Sequence, residues 1–189
     1  MKVGLYFGSF NPVHIGHLII ANTVIRESDL DQLWFIISPQ NPLKPQSSLL
    51  NEYQRKHLVD ISIEGENKLR TNNVEFSLPK PSYTIDTLSY LSEKYPSFHF
   101  VVIMGSDSFN NLEKWKNYEL ILKNYGVLIY ERPGYQLVKD LPPNVTALKA
   151  PLLEVSSTQI RKLITENKSI RFMVPDVVKE EIERNHYYR

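Results

Sequence analysis

The sequence of 189 residues contains no cysteine and no excess of either charge. The absence of cysteine excludes a disulfide framework, a thiolate metal site and a thiol nucleophile. With 22 basic and 21 acidic residues the formal net charge is +1, so the chain lacks the basic field that holds polynucleotide phosphates. It also has no apolar run near the ~20 residues that span a bilayer, and no signal-peptide pattern at its start. We therefore expect a cytoplasmic protein that binds neither nucleic acid nor membrane.

The remaining composition is that of an ordinary globular protein, with 42% hydrophobic and 23% charged residues. The length fits one domain, and the chain shows no repeat, low-complexity tract or linker. We expect a single domain over residues 1–189. The composition does not decide whether that domain forms a homo-oligomer.

Apolar runs of strand length alternate along the chain with segments of helical periodicity. The predicted strands are Lys2–Phe7, Gln32–Ile37, Val74–Leu78, Phe98–Met104, Gly126–Tyr130 and Val145–Ala150. The predicted helices are Ile15–Glu27, Tyr53–Ile63, Thr84–Lys94, Ser106–Leu122, Ser157–Thr165 and Asp176–Asn185. This alternation predicts an α/β fold, a Rossmann-like doubly wound parallel sheet with helices on both faces.

In such sheets, ligands bind beyond the carboxyl ends of the strands, near a switch in strand order. Three segments follow predicted strand ends: 8–17, 38–44 and 105–107. We expect these segments to meet at one cleft.

The first of them, Gly8-Ser-Phe-Asn-Pro-Val-His-Ile-Gly-His17, joins the first strand to the first helix. Gly8 allows a tight turn beside a ligand, and the start of the helix offers unpaired N–H groups for a phosphate. His14 and His17 are three residues apart and therefore share one face of the first helical turn. Two imidazoles there could donate hydrogen bonds to phosphoryl oxygens. A simple turn and cap would explain neither histidine.

Other familiar sites fit this loop less well. A zinc site needs three or four ligands, and the loop has two histidines with no cysteine in the chain. The loop also lacks the G-x-G-x-x-G of dinucleotide-binding proteins and the G-x-x-x-x-G-K of P-loops. We therefore predict no protein-bound metal.

The loop resembles the G-x-F-x-P-x-H-x-G-H signature of the nucleotidyltransferase superfamily. The rest of the chain is similar to the nicotinate (or nicotinamide) mononucleotide adenylyltransferase family over nearly its whole length. The segments that carry this resemblance are Pro42-Leu-Lys44, Arg55, Pro81-Ser-Tyr-Thr-Ile-Asp-Thr-Leu88, Gly105-Ser-Asp107, Leu112-Glu-Lys-Trp115, Arg132-Pro-Gly134, Val155-Ser-Ser-Thr-Gln-Ile-Arg161 and Val174-Pro175. The family implies adenylyl transfer from ATP to nicotinate mononucleotide, with Mg²⁺ accompanying ATP and pyrophosphate as the leaving group.

The resemblance also implies roles for particular residues. The catalytic set is His14, His17 and Arg161. ATP is expected to contact Gly8, Ser9, Phe10, His14, His17, Lys44, Gly105, Asp107, Ser157, Thr158 and Arg161. The mononucleotide is expected to contact Ser82, Tyr83, Thr84, Trp115 and Arg132.

Several of these residues have plainer explanations from the sequence alone. Residues 156–158 could simply cap a helix, because Ser and Thr are favoured there. Trp115 could be a core residue, although a tryptophan face also attracts a cationic pyridinium ring. Arg132 could form a structural salt bridge, and Lys44 could be a solvated loop lysine.

Ser9 and Asn11 depart from the G-G-T-F-D-P that is more frequent in bacterial nicotinate enzymes. Nicotinamide mononucleotide, or both mononucleotides, is therefore the alternative substrate. His14-Ile-Gly-His17 also matches the HIGH tetrad of class I aminoacyl-tRNA synthetases, but the chain lacks their K-M-S-K-S-like loop and tRNA-binding domain. Phosphopantetheine adenylyltransferase and a non-catalytic nucleotide-binding module are further alternatives.

Overall fold

The computed structural model describes residues 1–39, 49–137 and 140–189. The strands are β1 (Lys2–Gly8), β2 (Gln32–Ile37), β3 (Leu69–Asn72), β4 (His99–Gly105), β5 (Gly126–Tyr130) and β6 (Val145–Leu148). The helices are α1 (Ile15–Glu27), α2 (Glu52–Ser62), α3 (Thr84–Lys94), α4 (Ser106–Phe109), α5 (Tyr118–Asn124), α6 (Ser157–Thr165) and α7 (Asp176–Arg184). Two 3₁₀ turns lie at Val74–Phe76 and Leu112–Lys114.

Within the described ranges, these strands form one parallel sheet in the order β3-β2-β1-β4-β5-β6. Alternate residues of each strand point to opposite faces. Tyr6 and Phe35 face a core cluster that includes residues of α1, α2, α6 and α7. Leu5 and Ile36 face a second cluster that includes residues of α3 and α5. The predicted α/β class, with a doubly wound parallel sheet and helices on both faces, is confirmed.

The strand predicted at Val74–Leu78 is wrong, because the strand comes earlier, at Leu69–Asn72. The Asn72 side chain accepts a hydrogen bond from the Val74 amide at 2.8 Å. This local bond turns the chain out of the sheet, so that Val74–Phe76 forms a 3₁₀ turn instead. The real strand lies at the sheet edge and has only one apolar residue, which is why its pattern is weak.

The single helix predicted at Ser106–Leu122 is also wrong. The chain there forms α4, a 3₁₀ turn and α5 in succession. The Asn111 side chain donates to the backbone carbonyl of Asp107 at 2.9 Å, and Asn117 adopts a left-handed conformation with φ of 51°. Asparagine favours both arrangements over a continuous helix. The other predicted elements are present, with ends that differ by at most two residues.

The strand order places β1 between β2 and β4, where the chain switches from one side of the sheet to the other. The carboxyl ends of β1 and β4, at Gly8 and Gly105, therefore lie next to each other. In an open parallel sheet this is where a ligand crevice opens.

Candidate active site

A cavity of about 940 Å³ opens at this switch point. All of the predicted site residues that the structure describes line it: Gly8, Ser9, Phe10, His14, His17, Ser82, Tyr83, Thr84, Gly105, Asp107, Trp115, Arg132, Ser157, Thr158 and Arg161. Lys44, the remaining predicted residue, lies outside the described residues. The volume of the cavity lies within the range found for small-molecule binding sites.

His14 and His17 stand together at the start of α1, with their rings stacked at a centroid distance of 3.7 Å. His14 is the N-cap residue, and its backbone N–H donates to His17 Nδ1 at 3.2 Å. His17 thus takes the place of the glutamate in a capping box. Because Nδ1 accepts this bond, the proton of a neutral His17 ring is carried by Nε2.

His14 is the buried member of this pair, with 6% of its surface exposed. Burial, and to a smaller extent the charge of Arg132, lowers the pKa of His14 to about 4. Its Nδ1 is buried and has no hydrogen-bond partner among the described residues, which also disfavours a second ring proton. At neutral pH His14 is therefore an uncharged imidazole.

Phe10 packs against the ring of His17. Its ring is 2% exposed and packs edge-on against Tyr6, Phe35 and His17 at centroid distances of 5.0–5.6 Å. Its backbone is left-handed, with φ of 44°, which costs a non-glycine residue roughly 1–2 kcal/mol. A Cβ on Gly8 would come within 2.8 Å of the Phe10 ring, so glycine is required for this packing.

The N-terminus of α6 is fastened to the same loop. Ser157 Oγ donates to the Pro12 carbonyl at 2.9 Å, and Arg161 donates to the Asn11 carbonyl at 2.7 Å. Ser156 caps the helix by accepting from the Gln159 amide. The N-termini of α1 and α6 therefore meet at the cavity, and both present the partial positive charge that attracts phosphate.

Asp107 and Arg132, which follow the ends of β4 and β5, form an ion pair in the cavity lining. Arg132 donates to Asp107 Oδ2 at 3.1 Å, and its backbone N–H donates to Ser106 Oγ. The predicted structural salt bridge of Arg132 is thus present. Asp107 Oδ1 is buried without a hydrogen-bond partner in the described chain. A Cβ on Gly105 would lie 2.5 Å from this atom.

The start of α3 also lines the cavity. This helix packs on the face of the sheet opposite to α1 and α6. Its N-cap residue Tyr83 makes no side-chain cap, and the Asp86 N–H donates to the Tyr83 carbonyl at 3.0 Å. The first-turn N–H groups without an intrahelical acceptor are therefore those of Thr84 and Ile85. Trp115 is half-buried, packs against the core cluster of this layer and also lines the cavity. Trp115 therefore packs in the core and also borders the cavity, and stacking of a pyridine ring on it stays a prediction. Lys116 lies beside them, 4.9 Å from the centroid of the Tyr83 ring.

The prediction from sequence missed Glu75, a residue that is only 2% exposed. It lines the cavity and accepts from Ser82 Oγ at 2.6 Å and Thr87 Oγ1 at 3.0 Å. Burial raises its pKa, and hydrogen bonds from Ser82, Thr87 and Ser38 oppose that rise. The incorrect strand over 74–78 concealed it, because an acidic residue in an edge strand usually faces solvent.

Two other polar residues of the lining were also missed. Tyr6 and Tyr130 share a hydrogen bond between their hydroxyls, 3.2 Å apart. Burial raises the pKa of both phenols, so both stay protonated at neutral pH. The sequence could have indicated them, because each is a tyrosine near the carboxyl end of an apolar strand, β1 or β5.

Arg55 holds the loops of the site together without lining the cavity. It is fully buried, and its guanidinium donates to the carbonyls of Ser9, Ser38, Pro39 and Leu50. These acceptors belong to the β1–α1 loop, to the end of β2 and to the start of α2. Burial lowers the pKa of Arg55, but a guanidinium remains charged near neutral pH.

Across the described ranges, no group of three or more histidine, aspartate or glutamate side chains is placed to hold a metal ion. None of the helices there is long and apolar enough to cross a bilayer.

Comparison with known proteins identifies the family of this chain. Residues 5–163 match the family model described as cytidylyltransferase-like. A Cytophaga hutchinsonii protein named "Probable nicotinate-nucleotide adenylyltransferase" is 48% identical over 190 residues, covering 100% of this chain and 98% of the relative. A protein of the same name from Flavobacterium psychrophilum is 46% identical, with 100% of both chains covered.

The fold also matches a solved structure. The Plasmodium falciparum nicotinic acid mononucleotide adenylyltransferase complexed with NaAD superposes with a TM-score of 0.86 at 20% identity, covering 99% of this chain and 97% of the other. The full-length identity and the family model together show that the chain belongs to the nicotinate-nucleotide adenylyltransferases, within the cytidylyltransferase-like family.

Proposed function

We propose that this chain transfers the adenylyl group of ATP to nicotinate mononucleotide, giving nicotinate adenine dinucleotide (deamido-NAD) and pyrophosphate in NAD biosynthesis. The names of its relatives support this activity. The observation that carries the proposal is the composition of one cavity. The layer of α1 and α6 supplies two helix N-termini and the histidine pair, which suit a triphosphate. The other layer supplies the start of α3 and Trp115, which suit a pyridine nucleotide.

The chemistry requires no covalent enzyme intermediate. An oxygen of the mononucleotide 5′-phosphate attacks the α-phosphorus of ATP, a new P–O bond forms, and the bond to the β-phosphate oxygen breaks as pyrophosphate leaves. The protein contributes by orienting the reactants and by donating hydrogen bonds to the charge that develops at the α-phosphate. We assign that donation to His17 Nε2–H, with His14, Arg161 and the N-termini of α1 and α6 holding the triphosphate.

The start of α3 favours a carboxylate over a carboxamide. A helix N-terminus without a side-chain cap offers backbone N–H donors and a partial positive charge, both of which stabilise an anion. Nicotinate carries a carboxylate at the position where nicotinamide carries a neutral amide. The cationic pyridinium ring of the mononucleotide fits the face of Trp115. Nicotinate mononucleotide is therefore the preferred substrate in this proposal.

Nucleotidyltransferases typically use a divalent metal with ATP, and we propose Mg²⁺ for this chain. The described residues do not form a metal-ligand cluster of their own, so the ion fits as a companion of the triphosphate. When bound there, Mg²⁺ neutralises charge on ATP and on the departing pyrophosphate. Lys44 as a further phosphate cation, and a cytoplasmic location, stay predictions.

The decisive experiment is pyrophosphate release from Mg-ATP with nicotinate mononucleotide, nicotinamide mononucleotide and phosphopantetheine offered separately. We expect the highest kcat/KM for nicotinate mononucleotide. Equal values for the two mononucleotides would indicate dual specificity, and turnover of phosphopantetheine alone would contradict the proposal. Absence of turnover with every acceptor would indicate the non-catalytic binding module.

A further inference from the structure

Glu75 is a buried carboxylate whose observed partners are hydroxyl groups. Ser82 and Thr87 donate to its two oxygens, at 2.6 and 3.0 Å, and the Ser38 hydroxyl is a third partner. No ion pair within the described ranges includes Glu75. Burying a carboxylate without a cation is costly, and an apolar residue would fill the same turn at lower cost. This cost indicates a role beyond packing.

The three hydroxyls belong to segments that meet at the cavity. Ser38 directly follows β2, Ser82 directly precedes the N-cap residue of α3, and Thr87 lies in the first turns of that helix. Glu75 therefore connects the end of a central strand to both sides of the α3 N-terminus. Between the two α3 contacts lie Tyr83 and Thr84, which line the cavity.

The contact with Ser82 also determines what that residue can offer a ligand. A serine hydroxyl has one proton, and here the proton is donated to Glu75. Ser82 Oγ can then only accept a further hydrogen bond. The backbone N–H groups at the start of α3 remain as donors for an anionic substituent, and their position depends on the same carboxylate.

We propose that Glu75 is a positioning residue for the mononucleotide, which it serves by holding the N-terminus of α3 through Ser82 and Thr87. This inference rests on the proposed function, because it assigns the α3 side of the cavity to the mononucleotide. Glu75 does not touch the reacting phosphates in this proposal. Its loss should therefore affect the binding of one substrate and spare the other.

The test compares Glu75→Leu, Glu75→Gln and Thr87→Val with the wild type. Leucine removes both acceptors at similar volume, whereas glutamine keeps one oxygen and can still bond both hydroxyls. Thr87→Val removes one donor from a fully buried site without changing its shape. Thr71→Val is the matched control, because Thr71 Oγ1 likewise donates to a carboxylate, that of Asp60, outside the cavity lining.

We expect Glu75→Leu to raise KM for nicotinate mononucleotide about tenfold or more, the loss expected for hydrogen bonds to a charged group. KM for ATP should stay within about twofold, since no described residue assigned to ATP is among the hydrogen-bond partners of this carboxylate. Glu75→Gln should recover most of the loss, Thr87→Val should show a smaller increase, and Thr71→Val should show none. An equal rise in both KM values, or no change in either, would overturn the proposal.

Binding of nicotinate mononucleotide is measured in parallel through tryptophan fluorescence, so that the result does not depend on turnover. Wild-type binding without turnover contradicts the proposed function alone. Unchanged affinity in Glu75→Leu contradicts the positioning role alone. If Glu75→Leu does not fold, Thr87→Val decides, and unchanged mononucleotide affinity in that folded variant overturns the role.

Discussion

His17 is the residue on which the proposed chemistry depends most directly. Its Nδ1 accepts from the His14 backbone N–H, so a neutral ring carries its proton on Nε2, the atom that the proposal assigns to the phosphate. Replacing His17 by alanine should lower kcat about 100-fold or more, by analogy with the loss of one oxyanion-hole donor. The measurement is the steady-state rate of pyrophosphate release, together with a thermal melt to confirm the fold.

His99→Ala is the control for this variant. His99 is exposed and is the first residue of β4. It therefore lies at the amino ends of the strands, whereas the cavity lies at their carboxyl ends. We expect the control to keep wild-type activity. A folded His17→Ala protein with full activity would refute the assigned role.

His14 makes stability depend on pH, because its folded pKa of about 4 lies below its value of about 6.5 in an unfolded chain. Between these values the unfolded state binds a proton that the folded state does not. Stability should therefore fall as pH decreases from about 6.5 to 4, by about 3 kcal/mol in total from this group, and change no further below that range. Urea unfolding at several pH values measures it.

The matched variant for this measurement is His14→Gln, which cannot titrate. The wild type and the variant should differ in the pH dependence of their unfolding free energy over the same window. Parallel curves would show that His14 titrates normally in the folded protein.

At the scale of elements, Arg55 connects three segments that are distant in the sequence: the β1–α1 loop, the end of β2 and the start of α2. Replacing it by methionine removes the donors of four backbone carbonyls in the interior. Since each unpaired buried polar group costs about 1–3 kcal/mol, we expect Arg55→Met to lower the free energy of unfolding by at least about 3 kcal/mol. Chemical denaturation measures this loss. The exposed Arg70 provides the control, and Arg70→Met should change stability by less than about 0.5 kcal/mol.

The buried elements could be predicted from sequence because burial on both sheet faces demands continuous apolar runs. Gln32–Ile37 is found with the predicted bounds. The two failures, at 74–78 and 106–122, have the same physical cause. In both, an asparagine side chain bonds to nearby backbone and ends the regular element. Hydrophobic periodicity contains no information about such local competition.

The candidate site was predictable to a similar extent and for a related reason. Residues in the segments that follow strand ends, such as His17 and Asp107, could be located because the topology brings strand ends together. Glu75 and Arg55 could not be located in this way. Their functions arise from tertiary contacts with Thr87 and with the carbonyl of Ser9, and no sequence period brings those pairs together.

At the scale of the whole molecule, the two tryptophans lie in different environments and can report on them separately. Trp34 is 6% exposed in the core cluster between the sheet and α3, whereas Trp115 lines the cavity. Nicotinate mononucleotide should change tryptophan fluorescence in the wild type and in Trp34→Phe. The reason is that a pyridinium ring stacked on Trp115 contacts this tryptophan and not Trp34. A spectral titration measures the change.

Trp115→Phe should abolish that fluorescence change while leaving the Trp34 emission in place. A response that persists in Trp115→Phe and disappears in Trp34→Phe would place the pyridine ring elsewhere.

The bonds from Ser157 to Pro12 and from Arg161 to Asn11 join residues about 150 positions apart in the chain. During synthesis the loop leaves the ribosome first, and the α6 residues that bind it follow 145 to 150 residues later. The side of the cavity that we assign to the triphosphate therefore cannot be completed until α6 has been synthesised. A nascent chain that ends before residue 157 contains both histidines, yet it lacks the helix that fixes their loop.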